Sequence, residues 1–113
     1  MDDVQQAQLA ISLLKNADLV ALTIPALCEF VWVLTRVYKK STPEVALALN
    51  RLVACSNTRV NQNAFAAGLK VFESGGDFAD GAIASEGAEM GADEFVSFDR
   101  AAVLRIANSR FLK

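Results

Sequence analysis

The sequence predicts an α/β domain in which a parallel sheet is layered with helices. Two observations carry this: stretches with apolar residues at helical spacing interleave with short apolar runs, and Pro25, Pro43, Gly75-Gly76 and Gly91 mark changes between them. The 113-residue length, with 53% hydrophobic and 21% charged residues, suits a single folded domain covering residues 1–113.

In chain order, Val4, Ala7, Leu9, Ala10, Ile11, Leu13 and Leu14 recur mostly at helical offsets, and Asp2 and Asp3 favour the positive end of that helix's dipole. Val20, Leu22 and Ile24 alternate with Ala21 and Thr23 as a strand, which Pro25 ends. Pro25 also suits the first turn of a helix from Ala26 to Tyr38, whose apolar face is Leu27, Phe30, Val31, Leu34 and Tyr38, with Glu29 in its first turns. Ser41-Thr42-Pro43-Glu44 is a helix start: a hydroxyl to cap free amides, proline at the first helical position and glutamate at the positive dipole end. That helix runs to about Cys55. Arg59 to Asn61 is a weak strand centred on Val60, followed by a helix from Gln62 to Ser74 that Gly75-Gly76 terminates. Asp77-Phe78-Ala79-Asp80 leads into an alanine-rich helix that stops at Gly91. Phe95 to Phe98 reads as a buried strand, Ala101 to Ile106 as a short helix and Arg110 to Leu112 as a last strand.

Composition removes several chemistries. There is no histidine, which excludes Cys-His zinc sites, serine-type triads and imidazole acid-base catalysis. The 11 basic residues against 13 acidic ones give a net charge of −2, against a broad nucleic-acid-binding basic face. Arg36, Lys39 and Lys40 form the nearest thing to a phosphate-attracting strip, although cations are also what the end of a helix favours. Cys28 and Cys55 sit among apolar residues and read as small buried hydrophobes in a reducing compartment, and Trp32 reads as core or dimer packing. An acidic, polar N-terminus without a signal-peptide pattern, and no apolar run of membrane-spanning length, point to a cytoplasmic protein.

Four acids stand out by position. Glu29 lies one turn into a helix that follows a strand, Asp77 and Asp80 open a helix after the Gly-Gly stop, and Asp99 ends a strand. Ligands of an open parallel sheet gather at such strand and helix ends, and converging carboxylates call for a divalent cation with a taste for hard oxygen, magnesium or manganese. Each acid also has an ordinary use as a helix cap or turn former, and residue order leaves both readings open.

Three segments carry a family resemblance. Leu27-Cys28-Glu29-Phe30-Val31-Trp32-Val33-Leu34 followed by Tyr38, then Asp77-Phe78-Ala79-Asp80-Gly81-Ala82-Ile83-Ala84, then Phe98-Asp99-Arg100 after Ser97, together resemble the PIN-domain ribonucleases in the form of bacterial VapC-type toxins. The resemblance implies a central parallel sheet flanked by helices, with Glu29, Asp80 and Asp99 as catalytic acids. It adds Asp77 as an accessory acid, so that all four hold Mg2+ or Mn2+. It implies hydrolysis of RNA, tRNA being one candidate, and restraint by a small antitoxin protein. Gly81 stands where the family carries alanine, a change that weakens a helix by about 1 kcal/mol. Met1-Asp2-Asp3-Val4-Gln5-Gln6 is similar to a later family segment, so the N-terminal strand with the family's first aspartate is not represented. The expectations are an impaired nuclease and a homodimer or higher oligomer, with a catalytically silent module that dimerises or binds an antitoxin as the alternative.

Overall fold

The computed structural model describes residues 3–112, and the expected dipole partner Asp2 lies outside them, as do the side chains of Asp3, Val4, Ala7, Ala10 and Ile11. Helices and short strands alternate: α1 (Asp3–Asn16), β1 (Val20–Leu22), α2 (Ile24–Trp32), α3 (Thr42–Val53), β2 (Thr58–Val60), α4 (Gln62–Glu73), α5 (Phe78–Glu89), β3 (Phe95–Ser97), α6 (Arg100–Arg105) and β4 (Ser109–Phe111). The protein is therefore mixed α/β with parallel strand pairing, as the interleaved periodicities predict.

The single central sheet expected from the sequence is not present as one unit among the described residues. β1 pairs with β2 in parallel, Val20 opposite Thr58 and Leu22 opposite Val60, while β3 pairs with β4 in parallel, Phe95 opposite Ser109 and Ser97 opposite Phe111. The two pairs form separate two-stranded sheets. Both are built alike. The second strand of each begins with a hydroxyl shared between two carbonyls at the preceding helix end: Thr58 Oγ1 between Val53 and Cys55, Ser109 Oγ between Val103 and Ile106.

Local chemistry sets most boundaries. Thr23 caps α2 by accepting from the Ala26 amide at 3.3 Å, so Ile24, expected to close the strand, instead opens the helix. Ser41 and Glu44 form the reciprocal capping box of α3 at 3.3 and 3.1 Å. The helix expected to run unbroken to Tyr38 changes to a π-helical turn over Val33–Val37, closed by the Tyr38 amide donating to the Val33 carbonyl, and the chain leaves it through a left-handed Lys39 at φ 56°. α4 ends in a Schellman motif: the Gly76 amide donates to Val71 and the Gly75 amide to Phe72, with Gly75 at φ +97°.

The core collects Leu22, Ile24, Leu27, Val31, Val45, Leu49, Phe65, Phe72 and Phe78 around the tightest helix pair, α4 against α5. Phe78, 1% exposed, lies so close over α4 that a Cβ on Gly68 would meet its ring at 2.8 Å, and the Phe65 ring stands 6.3 Å away, centre to centre. Gly81 is the second point of approach, since a Cβ there would lie 2.5 Å from the Ala67 carbonyl oxygen and 2.8 Å from Val71 Cγ2. Helix propensity alone counts that glycine a defect, but the packing requires it.

Gly81→Ala separates these two effects. The alanine gains about 1 kcal/mol of helix propensity and loses about 1–3 kcal/mol to overpacking against a backbone oxygen. A net loss of stability in chemical denaturation is expected, and a gain would show that the two helices slide apart freely.

Candidate functional site

A cleft of about 550 Å3 opens where the carboxyl-side connections of both strand pairs meet the start of α5, and its lining includes all four acids singled out in the sequence: Glu29, Asp77, Asp80 and Asp99. Each arrives by a different local device. Glu29 rides on α2 beyond β1, in the turn between the buried Leu27 and Val31. Asp77 is the N-cap of α5, its Oδ1 accepting from the Ala79 amide at 3.0 Å, and Asp80 follows one turn in. Asp99 caps α6 in the same way, accepting from the Ala101 amide at 2.9 Å, while Ser97 Oγ fixes the Asp99 amide at 2.9 Å.

The cap reading and the site reading are thus compatible at Asp77 and Asp99. Each carboxylate gives one oxygen to its helix, and among the described residues the other makes no hydrogen bond. Asp80 caps nothing. Burial, and then the negative charges of Asp77 and Asp99, push its carboxyl above its ordinary value of 3.8, so these three acids share one electrostatic neighbourhood. The donor set is hard oxygen, which suits Mg2+ or Mn2+ rather than a thiol-seeking metal. Among the described residues, however, no three acidic or thiol groups converge closely enough to hold an ion as they stand. The acids match a hard cation in donor type and share a cleft, but do not stand as a ready-made set of ligands.

Other wall residues limit the chemistry. Burial, then the charges of Asp77, Glu86 and Glu29, push the Cys28 thiol up, which keeps it protonated and a poor nucleophile. Cys28 is half-buried, but Cys55 is exposed, contrary to the expectation of two buried cysteines, because α3 ends just before it and its thiol only reaches back to the Arg51 carbonyl. Trp32 lines the cleft and is 56% exposed, so of the two expected uses, core or dimer packing, it does not serve the core of this chain. The basic strip is divided: Arg36 lines the cleft, whereas Lys40 turns to Glu44 at 3.9 Å on the surface. Thr35 and Arg105 were not singled out in the sequence. The Thr35 hydroxyl is buried in the cleft wall without a hydrogen-bond partner among the described residues, and Arg105, which closes the helix that Asp99 opens, borders the same cleft. Their only sequence signals are one turn of helix beyond Trp32 and one short helix beyond Asp99.

Two outcomes follow. Because the raised carboxyl of Asp80 favours its protonated form in the fold, stability is unaffected below 3.8 and falls as pH rises through the elevated value. Asp80→Asn is expected to raise the thermal midpoint at pH 7 and to leave it unchanged near pH ~3, where both states are protonated; an equal gain at both would assign the effect to packing. Thr35→Val removes an unpaired hydroxyl at nearly constant shape, and denaturant titration should find it neutral to about 1 kcal/mol more stable.

No protein-family model, no curated protein and no solved structure matches the chain, so the functional reading rests on this cleft and on the three sequence segments that line it.

Proposed function

We propose that the chain is a metal-dependent endoribonuclease of the PIN-domain, VapC-toxin kind. The observation that carries the reading is that Glu29, Asp77, Asp80 and Asp99, spread over 71 positions of sequence (29 to 99), line one cleft together with Arg36. On this reading Glu29, Asp80 and Asp99, with Asp77 beside them, hold Mg2+ or Mn2+. When bound, the ion supplies charge neutralisation at the phosphate and an activated water. Asp77 and Asp99 keep one oxygen turned to a helix amide, which leaves the other available to a ligand. Asp80, raised by burial and by the charges of Asp77 and Asp99, is the acid whose ionised form an incoming cation would stabilise most. Arg36 offers donors to a non-bridging phosphate oxygen.

The strand pattern suits the same reading. β1 leads toward Glu29 and β3 toward Asp99, so both parallel pairs feed one cleft, as parts of a single sheet would. Leu13, Phe98, Leu104 and Met90 are exposed apolar side chains suited to self-association or to a small antitoxin partner. No helix of the described residues is long and apolar enough to cross a membrane.

A second reading, a catalytically silent module that binds a partner or a second copy, is favoured by the same exposed apolar set and by the absence of a ready-made trio of ligands among the described residues.

The test is cleavage of end-labelled RNA in Mn2+ or Mg2+. Cleavage that EDTA abolishes, and that Asp80→Asn and Asp99→Asn each lower by about 100-fold or more, supports the nuclease. Cleavage indifferent to EDTA or to both substitutions contradicts it. Wild-type protein that is folded, self-associated by sedimentation and inert toward RNA supports the silent module.

A further inference from the structure

We propose that Arg105 is a phosphate-anchoring residue of the acidic cleft, held in position by the glycine pair Gly75-Gly76; the inference rests on the nuclease reading and adds a substrate-positioning group to it.

Arg105 borders two hollows at once. One is the acidic cleft, and the other is a groove of about 470 Å3 between α4, α5 and α6 to which Lys70 also contributes. Despite four carboxylates in the first hollow, Arg105 makes no ion pair among the described residues; its Nη1 donates only to the Ala101 carbonyl at 3.2 Å. Arg110, by contrast, is held at Nε and Nη2 by Glu94. A guanidinium has five N–H donors in a rigid fork, and Arg105 keeps most of them free at the rim of a cleft whose field favours its charge.

The arm that carries this guanidinium has a prepared path. Gly75 is explained by its backbone, at φ +97°, but Gly76 has no such excuse, since only Gly75 and Gly91 among the glycines are left-handed. What excludes a side chain at Gly76 is neighbouring side chains: a Cβ there would stand 2.6 Å from Arg105 Cδ and 2.7 Å from Val71 Cγ1. At Gly75 a Cβ would come 3.5 Å from Arg105 Nη2. The second glycine therefore forms a saddle over which the arginine lies, directly before Asp77 in the chain. Removing a methyl group from a loop gives the guanidinium a defined place at the mouth of the cleft, and a fixed fork loses less freedom when it grips a phosphate. With Lys70 in the groove beyond, a strand whose reacting phosphate meets the acids passes its neighbouring phosphate across Arg105.

Fluorescence anisotropy with a labelled single-stranded RNA of about 12 nucleotides tests this, using Ca2+ in place of Mg2+ or Mn2+ to hold back cleavage. Arg105→Ala is expected to raise Kd about tenfold and to flatten the dependence of log Kd on log salt by about 0.7, one phosphate contact on a single strand. Arg105→Lys keeps the salt slope and loses a few-fold in affinity, because the charge stays and the fork goes. Gly76→Ala moves affinity in the same direction with Arg105 intact, and adds little in the Arg105→Ala background. In Mn2+, Arg105→Ala raises KM while kcat stays within about threefold, as befits a group that grips substrate away from the reacting atoms. If Gly76→Ala fails to fold, the two exposed Arg105 variants decide the matter alone. Unchanged Kd and salt slope in Arg105→Ala, in a protein whose cleavage is lost in Asp80→Asn, overturns the role of Arg105 and leaves the nuclease standing. A wild type that neither binds nor cleaves RNA overturns the nuclease reading and this inference with it.

Discussion

The burial of Phe78 against Gly68 is the contact on which the cleft depends. It brings α5 down onto α4 at the first helical residue, and the flanking acids, Asp77 before it and Asp80 after it, have no freedom to be elsewhere. An apolar ring worth about 2–3 kcal/mol of burial therefore positions two charged groups that would repel each other if left alone. Gly81 extends the same close approach one turn along, at the point where a methyl group would strike the Ala67 carbonyl. Within Asp-Phe-Ala-Asp-Gly, Phe78 and Gly81 lie against α4, while Ala79 and the two carboxylates line the cleft.

Crowding acids raises the free energy of the fold, and the protein offsets it in two ways. Asp77 and Asp99 gain amide hydrogen bonds and a favourable helix end, so their charges are partly compensated by the backbone itself. Asp80 has no such partner and carries the strain as an elevated carboxyl. Arg36 and Arg105 at the rim add positive charge without neutralising any one acid. On the proposed reading, a cation or a phosphate entering this cleft would relieve that repulsion or supply the missing partner.

Much of this was legible in the residues. Caps and stops announced themselves: Ser41 with Glu44, Asp77 and the Gly75 turn all lie where their chemistry requires, while Asp99, legible as a strand end or turn, proves to cap α6. The strands were located to within one or two residues, yet their grouping into two separate pairs was not, because pairing depends on which edges meet in space rather than on local pattern. The π-helical turn at Val33–Val37 was missed for a related reason: Val-Leu-Thr-Arg-Val carries no breaker, and only tertiary packing distinguishes it from a continuing helix. Gly76 and Gly81 carried information that composition could not decode, since what a glycine makes room for lies on another helix. The exposure of Trp32 likewise reflects the shape of a cleft that no spacing encodes.

The β3-α6-β4 segment has one more bearing on how the cleft behaves. Among the described residues its strands pair only with each other, Arg100 stacks on the Phe111 ring at 4.3 Å, and of its helical residues only Ala102 is buried. It is a nearly self-contained unit resting lightly on a firmly packed α4-α5 pair, and such units open with free energies well below that of global unfolding. Asp99 and Arg105 belong to the lightly held unit; Asp77 and Asp80 belong to the firm one. On the proposed nuclease reading, an ion or phosphate held by both would fasten the two together, linking occupancy of the cleft to amide-exchange protection of Phe95–Phe111.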